Sequence, residues 1–130
     1  HLHIFLEYLD GGSVHARLQK EGRLSEEETA DIARKVLQGL SYLHSRGITH
    51  RDIKGANVLL STTGLVKLAD FGTSKEITEE SATSGLKGTP HWMAPEVIRA
   101  EVPLDWLSAD IWSVGCTVVE MLTGKTPWPD

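Results

Sequence analysis

A dense group of polar side chains lies between two apolar segments in the stretch ITHRDIKGANVLL, residues 48–60. Within eight residues it contains the cations Arg51 and Lys54, the carboxylate of Asp52 and the amide of Asn57. The stretch follows a segment with helical periodicity and ends in an apolar run that predicts a strand. Loops between such elements hold functional side chains on a rigid scaffold, so this group is a candidate for catalysis.

The chemistry available to this group depends on Asp70, which lies beyond the next predicted turn. The runs VLL and VKLA, joined by STTG, predict a hairpin that brings Asn57 close to Asp70. An amide oxygen and a carboxylate suit Mg²⁺, with phosphate oxygens in its remaining positions. Asp52 could then accept a proton from a hydroxyl nucleophile, and Lys54 could neutralise charge on the transferred group. These parts together predict phosphoryl transfer.

Each of these residues also has an ordinary structural interpretation. An isolated Asp52 is more often a turn former or a helix cap than a base, and Asp70 before Phe-Gly is compatible with a plain turn. Lys54 is compatible with a solvated surface position, and Arg51 with a surface ion pair of little energetic value. The combination of these residues, rather than any one of them, favours the functional interpretation.

The elements that position these residues are predicted from periodicity and capping signals. LHIFLEYL is short and apolar and predicts a buried strand, which Gly11 and Gly12 end. Ser13 predicts the start of a short helix, and Ser25 with Glu28 forms a capping-box pattern that opens a longer one. The apolar residues of the longer helix share one stripe at helical spacing: Ile32, Val36, Leu37, Leu40 and Leu43.

The second half of the chain predicts a hairpin, a long loop and one apolar helix. The hairpin strands are predicted at 58–60 and 66–69, and residues 70–96 form a predicted loop because they are rich in Gly, Ser and Thr without any period. A helix is predicted to begin at Ser108 and to end at Gly124. Because apolar residues lie nearly all round it, we expect a core helix.

Composition limits the classes of protein to which the chain can belong. Its 130 residues suffice for one small domain, and its net charge of −5 without a Lys/Arg run argues against nucleic-acid binding. The single cysteine, Cys116, cannot form an internal disulfide and fits a reducing, cytoplasmic compartment. No apolar stretch reaches about 18 residues, so membrane insertion is not expected. Both ends look cut, which predicts a fragment of a larger domain.

Four motifs in this order resemble those of protein kinases. HRDIKGAN is similar to the kinase catalytic loop, DFG to the metal-binding motif and APE to the end of the activation loop. DIWSVGC resembles the motif of the family's central helix. The strings GTPHWMAPEVI and FLEYLDGGSV are most similar to MAP kinase kinase kinases, a group of the STE serine/threonine kinases. The resemblance covers all 130 residues.

The resemblance implies an α+β, protein kinase-like fold of which the chain covers only a part. Residues 1–6 would end the small lobe, residues 7–12 would form the hinge, and residues 13–130 would form the large lobe up to the end of its central helix. The family's Gly-rich loop, strand lysine and paired helix glutamate would lie before His1. The isolated chain is therefore expected to be unstable and inactive.

Carried over position by position, the resemblance assigns roles to the site residues. Asp52 would be the catalytic base, and Lys54 would contact the phosphate in transfer. Asn57 and Asp70 would hold Mg²⁺ and, through it, ATP. The adenine would be held by four further positions: Leu6 as gatekeeper, Glu7 and Leu9 through the hinge backbone, and Leu59 beneath the ring.

The resemblance also implies regulatory and specificity positions. Arg51 would pair with a phosphorylated residue of the activation loop, for which Ser84 is the first candidate and Thr83 the second. Thr89 would favour a serine or threonine hydroxyl as the acceptor, whereas His91 replaces a tyrosine that is usual there. Three residues would hold the site in place: Asp110, which would accept hydrogen bonds from the catalytic-loop backbone, and His50 with Phe71, which would stack.

The function implied for the whole protein is that of an ATP-dependent, Mg²⁺-requiring protein serine/threonine kinase. It would act upstream in a MAP kinase cascade, with a MAP kinase kinase as its protein substrate and an activator that the sequence does not predict. One alternative is a pseudokinase scaffold, which loss of the strand lysine would favour. Another is a metal-dependent phosphatase that uses Asp52 and Asp70 without an ATP site.

Overall fold

A computed structural model describes residues 1–77, 88–100 and 104–128 of the chain. Its helices are α1 (Val14–Glu21), α2 (Glu26–Ser45), α3 (Pro95–Ile98) and α4 (Trp106–Thr123). Its strands are β1 (Ile48–Thr49), β2 (Val58–Leu60), β3 (Val66–Leu68) and β4 (Lys75–Glu76), and short 3₁₀ turns lie at Gly55–Asn57 and Pro90–Trp92. Helices combined with two small antiparallel sheets give the α+β arrangement that the sequence predicts.

Side-chain caps fix the starts of α1 and α2 where the sequence predicts them. The Ser13 hydroxyl accepts a hydrogen bond from the Ala16 amide at 3.0 Å. At α2, the Ser25 hydroxyl accepts from the Glu28 amide at 3.2 Å, and the Glu28 carboxylate accepts from the Ser25 amide at 3.4 Å. Such caps satisfy amides that have no partner in the first helical turn, and each contributes about 1 kcal/mol.

The main core lies between α2, α4 and the β2–β3 hairpin. The α2 stripe is buried at Ile32, Val36 and Leu40, as its spacing predicts. Leu37 lies at the edge of the stripe and is 42% exposed. The buried residues of the stripe pack in one core with side chains from other elements, which include Val14, Ile53, Val58, Val114 and Met121. Burial of these side chains packs α2 against α4 and against β3.

The C-terminal end of α4 packs closely on the connection between α1 and α2. The Leu24 amide donates to the carbonyl of Met121 at 2.9 Å. Gly124 ends the helix in the left-handed conformation, with φ of 70°. A Cβ at this position would lie 1.9 Å from the Gly22 carbonyl oxygen, so only glycine fits here.

The strands confirm the predicted hairpin and add a second pairing that the sequence did not predict. In β2–β3, Val58 faces Leu68 and Leu60 faces Val66. In the second sheet, β1 pairs with β4 in antiparallel fashion. The prediction of a long loop over 70–96 needs correction, because β4 and the 3₁₀ turn Pro90–Trp92 lie within this segment and α3 begins at Pro95. Elements of two to four residues are too short to produce a detectable period.

The buried strand predicted for LHIFLEYL does not form. Residues 1–9 have no strand assignment, and residues 1–8 are exposed. Phe5 is 94% exposed and Leu2 87% exposed. A strand is stabilised by neighbours that pair with its backbone and cover its side chains, and no described element does this for residues 1–8.

Helix α4 differs from its prediction at its start and on one face. It begins at Trp106 rather than Ser108, because Asp105 caps it by accepting from two amides of the first turn. One face contains apolar side chains that are at least a third exposed, so α4 is not buried all round among the described residues: Leu107, Ile111, Trp112, Val119 and Leu122. None of the described helices is both long and apolar enough to cross a membrane.

Candidate active site

The polar loop after β1 is held by Asp110, in the second turn of α4. Its carboxylate is 1% exposed and accepts hydrogen bonds from the backbone amides of His50 at 2.9 Å and Arg51 at 2.8 Å. The His44 ring at the end of α2 lies 2.9 Å from the same carboxylate. The contact that the kinase resemblance implied for Asp110 is therefore present. It stabilises a loop in which Arg51 has φ of 71°, a conformation that ordinary residues resist.

Asp52, Lys54 and Thr89 meet in one hydrogen-bonded group. The Thr89 hydroxyl donates to Asp52 Oδ1 at 2.7 Å, and Lys54 Nζ donates to the same hydroxyl oxygen at 2.6 Å. Lys54 Nζ lies 3.6 Å from Asp52 Oδ2. The structure thus brings together an acid, a cation and a hydroxyl from segments more than 30 residues apart. The Asp52 side chain is 13% exposed, which leaves the carboxylate accessible at the surface of the site.

Asn57 is oriented by Asp52. Its amide nitrogen donates to the Asp52 carbonyl at 2.8 Å and to Asp52 Oδ2 at 3.2 Å. Asn57 is 7% exposed and lies in the 3₁₀ turn that leads into β2. Because the amide nitrogen points to Asp52, the carbonyl oxygen is the side-chain atom of Asn57 that suits a cation.

Asp70 follows β3 and reaches the same end of the hairpin. The pairing extends past the strands, because the Ala69 amide donates to the Asn57 carbonyl at 2.9 Å. The His50 ring bonds the Ala69 carbonyl at 2.8 Å and meets the Phe71 ring edge-on at 5.2 Å, so the two predicted rings are in contact. Asp70 is exposed, with φ of 58°, so its carboxylate faces solvent at this end of the hairpin.

The donors at this end of the hairpin are oxygen atoms of the kind that Mg²⁺ binds. In the described part of the chain, no cluster of three or more His, Cys, Asp or Glu side chains could hold an ion. Mg²⁺ usually binds one or two protein oxygens and completes its octahedron with water and phosphate. An amide oxygen from Asn57 and a carboxylate from Asp70 match that pattern.

Of the four positions expected to bind adenine, two lie in the folded body and two lie in the exposed N-terminal segment. Leu9 is buried, and Leu59 lies in β2, where it forms a bridge with Ser13. Leu6 is 84% exposed, and Glu7 pairs with Lys67 at 2.7 Å on the surface. Leu9 and Leu59 are thus fixed in the folded body, whereas Leu6 and Glu7 belong to the exposed N-terminal segment.

Arg51 lies under Trp106 rather than in solvent. It is 6% exposed, and its guanidinium carbon lies 4.2 Å from the centre of the Trp106 ring. Its Nε donates to the Thr49 hydroxyl at 3.3 Å. Burial lowers the pKa of Arg51, although the Asp110 carboxylate opposes this shift. Its pairing with a phosphorylated residue stays a prediction, because the candidates Ser84 and Thr83 lie outside the described residues.

Sequence reasoning missed three residues that shape the site: Glu120, Trp106 and His44. The strongest signal available was Glu120, a carboxylate inside the most apolar helix of the chain. Such a residue is expected to have polar partners, because an unpaired buried charge is strongly unfavourable. Trp106 and His44 gave no signal, since their partners Arg51 and Asp110 are distant in sequence.

Comparison with known proteins identifies similar sequences along the whole chain. The family model described as protein kinase domain matches residues 1–130. Mitogen-activated protein kinase kinase kinase ANP1 of Arabidopsis thaliana is 52% identical over 130 residues, which cover 98% of this chain and 19% of that protein. Mitogen-activated protein kinase kinase kinase 3 of Homo sapiens is 52% identical over 133 residues, which cover 99% of this chain and 21% of that protein. The chain thus spans about a fifth of the length of these relatives.

Proposed function

Because this chain belongs to the protein kinase domain family, we propose that the protein containing it is an ATP-dependent, Mg²⁺-requiring protein serine/threonine kinase. The observation that supports this most is the hydrogen-bonded group of Asp52, Thr89 and Lys54. It joins an acceptor for a hydroxyl proton to a cation and to the loop that precedes the APE motif. Neither a turn former nor a helix cap requires these partners.

Each of the site residues has a separate role in phosphoryl transfer. Asp52 orients the substrate hydroxyl and accepts its proton, while Lys54 stabilises negative charge on the phosphoryl group. Thr89 keeps these two side chains at a fixed separation and borders the place where the acceptor residue binds. Asn57 and Asp70 are the residues that would hold Mg²⁺, which supplies charge neutralisation to the phosphates when bound.

We assign the protein to the upstream part of a MAP kinase cascade, with a MAP kinase kinase as its substrate. Support comes from the relatives, whose names describe MAP kinase kinase kinases. A net charge of −5 favours a protein partner over a nucleic acid. The single cysteine, which is buried, fits the cytoplasm as the compartment.

The test is transfer of labelled γ-phosphate from ATP to a purified MAP kinase kinase by the full-length protein. Asp52→Asn should lower the rate roughly 10²- to 10⁴-fold, the usual contribution of a positioned base. Asp31→Asn is the matched control, because Asp31 forms exposed ion pairs on α2 far along the chain from the loop. Transfer that survives Asp52→Asn would overturn the proposal, and nucleotide binding without any transfer by the wild type would favour a scaffold.

A further inference from the structure

Glu120 is a buried carboxylate that belongs to neither the proposed chemistry nor the apolar core. It lies near the end of α4 and is 3% exposed. Its Oε2 accepts a hydrogen bond from the Gly55 backbone amide at 2.9 Å and another from Trp92 Nε1 at 3.0 Å. Burying a carboxylate is unfavourable unless it receives hydrogen bonds, so these two donors are what keeps Glu120 in place.

The other oxygen of Glu120 is enclosed by the same loop. Oε1 lies 3.5 Å from Nδ1 of His15, which is half exposed. A Cβ built at position 55 would lie 2.7 Å from Oε1 and 2.9 Å from the carboxyl carbon. Real Cβ atoms do not approach this closely, so a side chain at Gly55 would force the carboxylate or the loop to move. Glycine therefore permits the close approach on which the hydrogen bond depends.

The two donors to Glu120 belong to the segments that meet in the site. Gly55 directly follows Lys54 in the chain. The backbone amide of Trp92 donates to the Thr89 carbonyl at 3.0 Å, so the indole and Thr89 belong to one tight turn. Between these segments runs the 2.6 Å hydrogen bond from Lys54 to Thr89. Glu120 thus binds one donor from each of the two segments that this hydrogen bond joins.

We propose that Glu120 is a positioning residue, which sets the distance between Lys54 and Thr89 by tying the Gly55 amide and the Trp92 indole to α4. This inference rests on the proposed kinase function. Glu120 touches no reacting group and acts only through its two donors. Its removal should change the rate of phosphate transfer without weakening ATP binding, because the buried adenine-side residue Leu9 is not among its partners.

The first test compares Glu120→Leu and Glu120→Gln in the full-length protein. Leucine removes both acceptors, and a misplacement of about 1 Å between reacting groups costs on the order of 10²-fold in rate. We expect kcat to fall at least 10-fold, with the KM for ATP changed less than about 2-fold. Glutamine can direct its oxygen to both donors and its amide to His15, so Glu120→Gln should retain most of the wild-type kcat.

Two further variants separate positioning from general stability. Met121→Ala is the matched control, because Met121 is the next residue of α4 and is 1% exposed in the core. It should lower thermal stability with little effect on kcat. Trp92→Phe removes only the indole donor and should lower kcat several-fold. If Glu120→Leu does not fold, this variant tests the positioning role instead. A wild-type kcat in Trp92→Phe or in folded Glu120→Leu, or an equal loss in Met121→Ala, would overturn the inference.

A spectroscopic measurement distinguishes failure of this inference from failure of the proposed function. The indole N–H resonance of Trp92 can be assigned by its absence in Trp92→Phe. It should be protected from hydrogen exchange in the wild type and in Glu120→Gln, and should lose that protection in Glu120→Leu. A protected indole in a wild type without transferase activity would refute the kinase function while supporting the tether. An unprotected indole would refute the tether whatever the activity.

Discussion

Asp110→Asn tests whether α4 holds the polar loop in its unusual conformation. The wild-type carboxylate accepts from the His50 amide through Oδ2 and from the Arg51 amide through Oδ1. Asparagine has one oxygen, so one of the two amides would face an NH₂ group instead of an acceptor. The side chain is 1% exposed, which prevents water from replacing the lost partner.

The expected size of the effect follows from this geometry. A hydrogen bond to a charged group contributes roughly 1.5–3 kcal/mol, which corresponds to roughly a 10- to 100-fold change in an opening equilibrium. The positive φ of Arg51 acts in the same direction, because a loosened loop relaxes away from it. The population of the locally opened state of residues 48–53 should therefore increase at least roughly 10-fold.

Hydrogen exchange followed by mass spectrometry on the full-length protein measures this opening. Peptides covering 48–53 should exchange faster in Asp110→Asn, while peptides from the middle of α2 should not change. The matched control is Asp105→Asn, the same substitution at the cap of the same helix, where the side chain accepts hydrogen bonds from Leu107 and Ser108 in the first helical turn. Equal exchange of residues 48–53 in wild type and Asp110→Asn would refute the idea that this carboxylate holds the loop.

Two other perturbations have expected outcomes. Thr89→Val removes the hydroxyl that links Asp52 to Lys54 and should lower kcat roughly 10- to 100-fold, whereas Thr89→Ser should restore it; equal rates for valine and serine would contradict this role. The pKa of Asp105 is held below its ordinary value of 3.8, mainly by the hydroxyl of the serine three residues later. Its stabilisation is thus present above that value and is lost as the pH falls below it toward the lowered pKa. Thermal unfolding of Asp105→Asn should therefore be less acid-sensitive than that of the wild type below about pH 4, and parallel pH profiles would contradict this assignment.

The parts of the fold that were predictable are those specified by local chemistry. The capping serines mark the starts of α1 and α2 because a hydroxyl satisfies amides within the same turn. The turn between 60 and 66 fixes the hairpin, and this pairing carries Asn57 toward Asp70. Residues 52 and 57 could be proposed as site residues for the same reason, since their types and spacing lie within one short loop.

What the sequence did not predict depends on partners distant in the chain. Glu120 gains its role from residues 28 and 65 positions away, which no local pattern encodes. The apolar segment 1–8 has strand composition, yet composition does not specify which neighbour pairs with it. The exposed face of α4 is a similar case. An apolar side chain indicates that burial would be favourable, but it does not specify which element covers it.

Helix α4 contacts the polar loop at two points and the α1–α2 connection at a third. Asp110 binds the loop near one end, Glu120 binds it again two to three turns later, and Met121 binds the α1–α2 connection through Leu24. A helix of 18 residues is a stiff rod about 27 Å long. Asp110 and Glu120 are ten residues apart and therefore about 15 Å apart along this rod, so the loop cannot slide along α4 without breaking hydrogen bonds at both points.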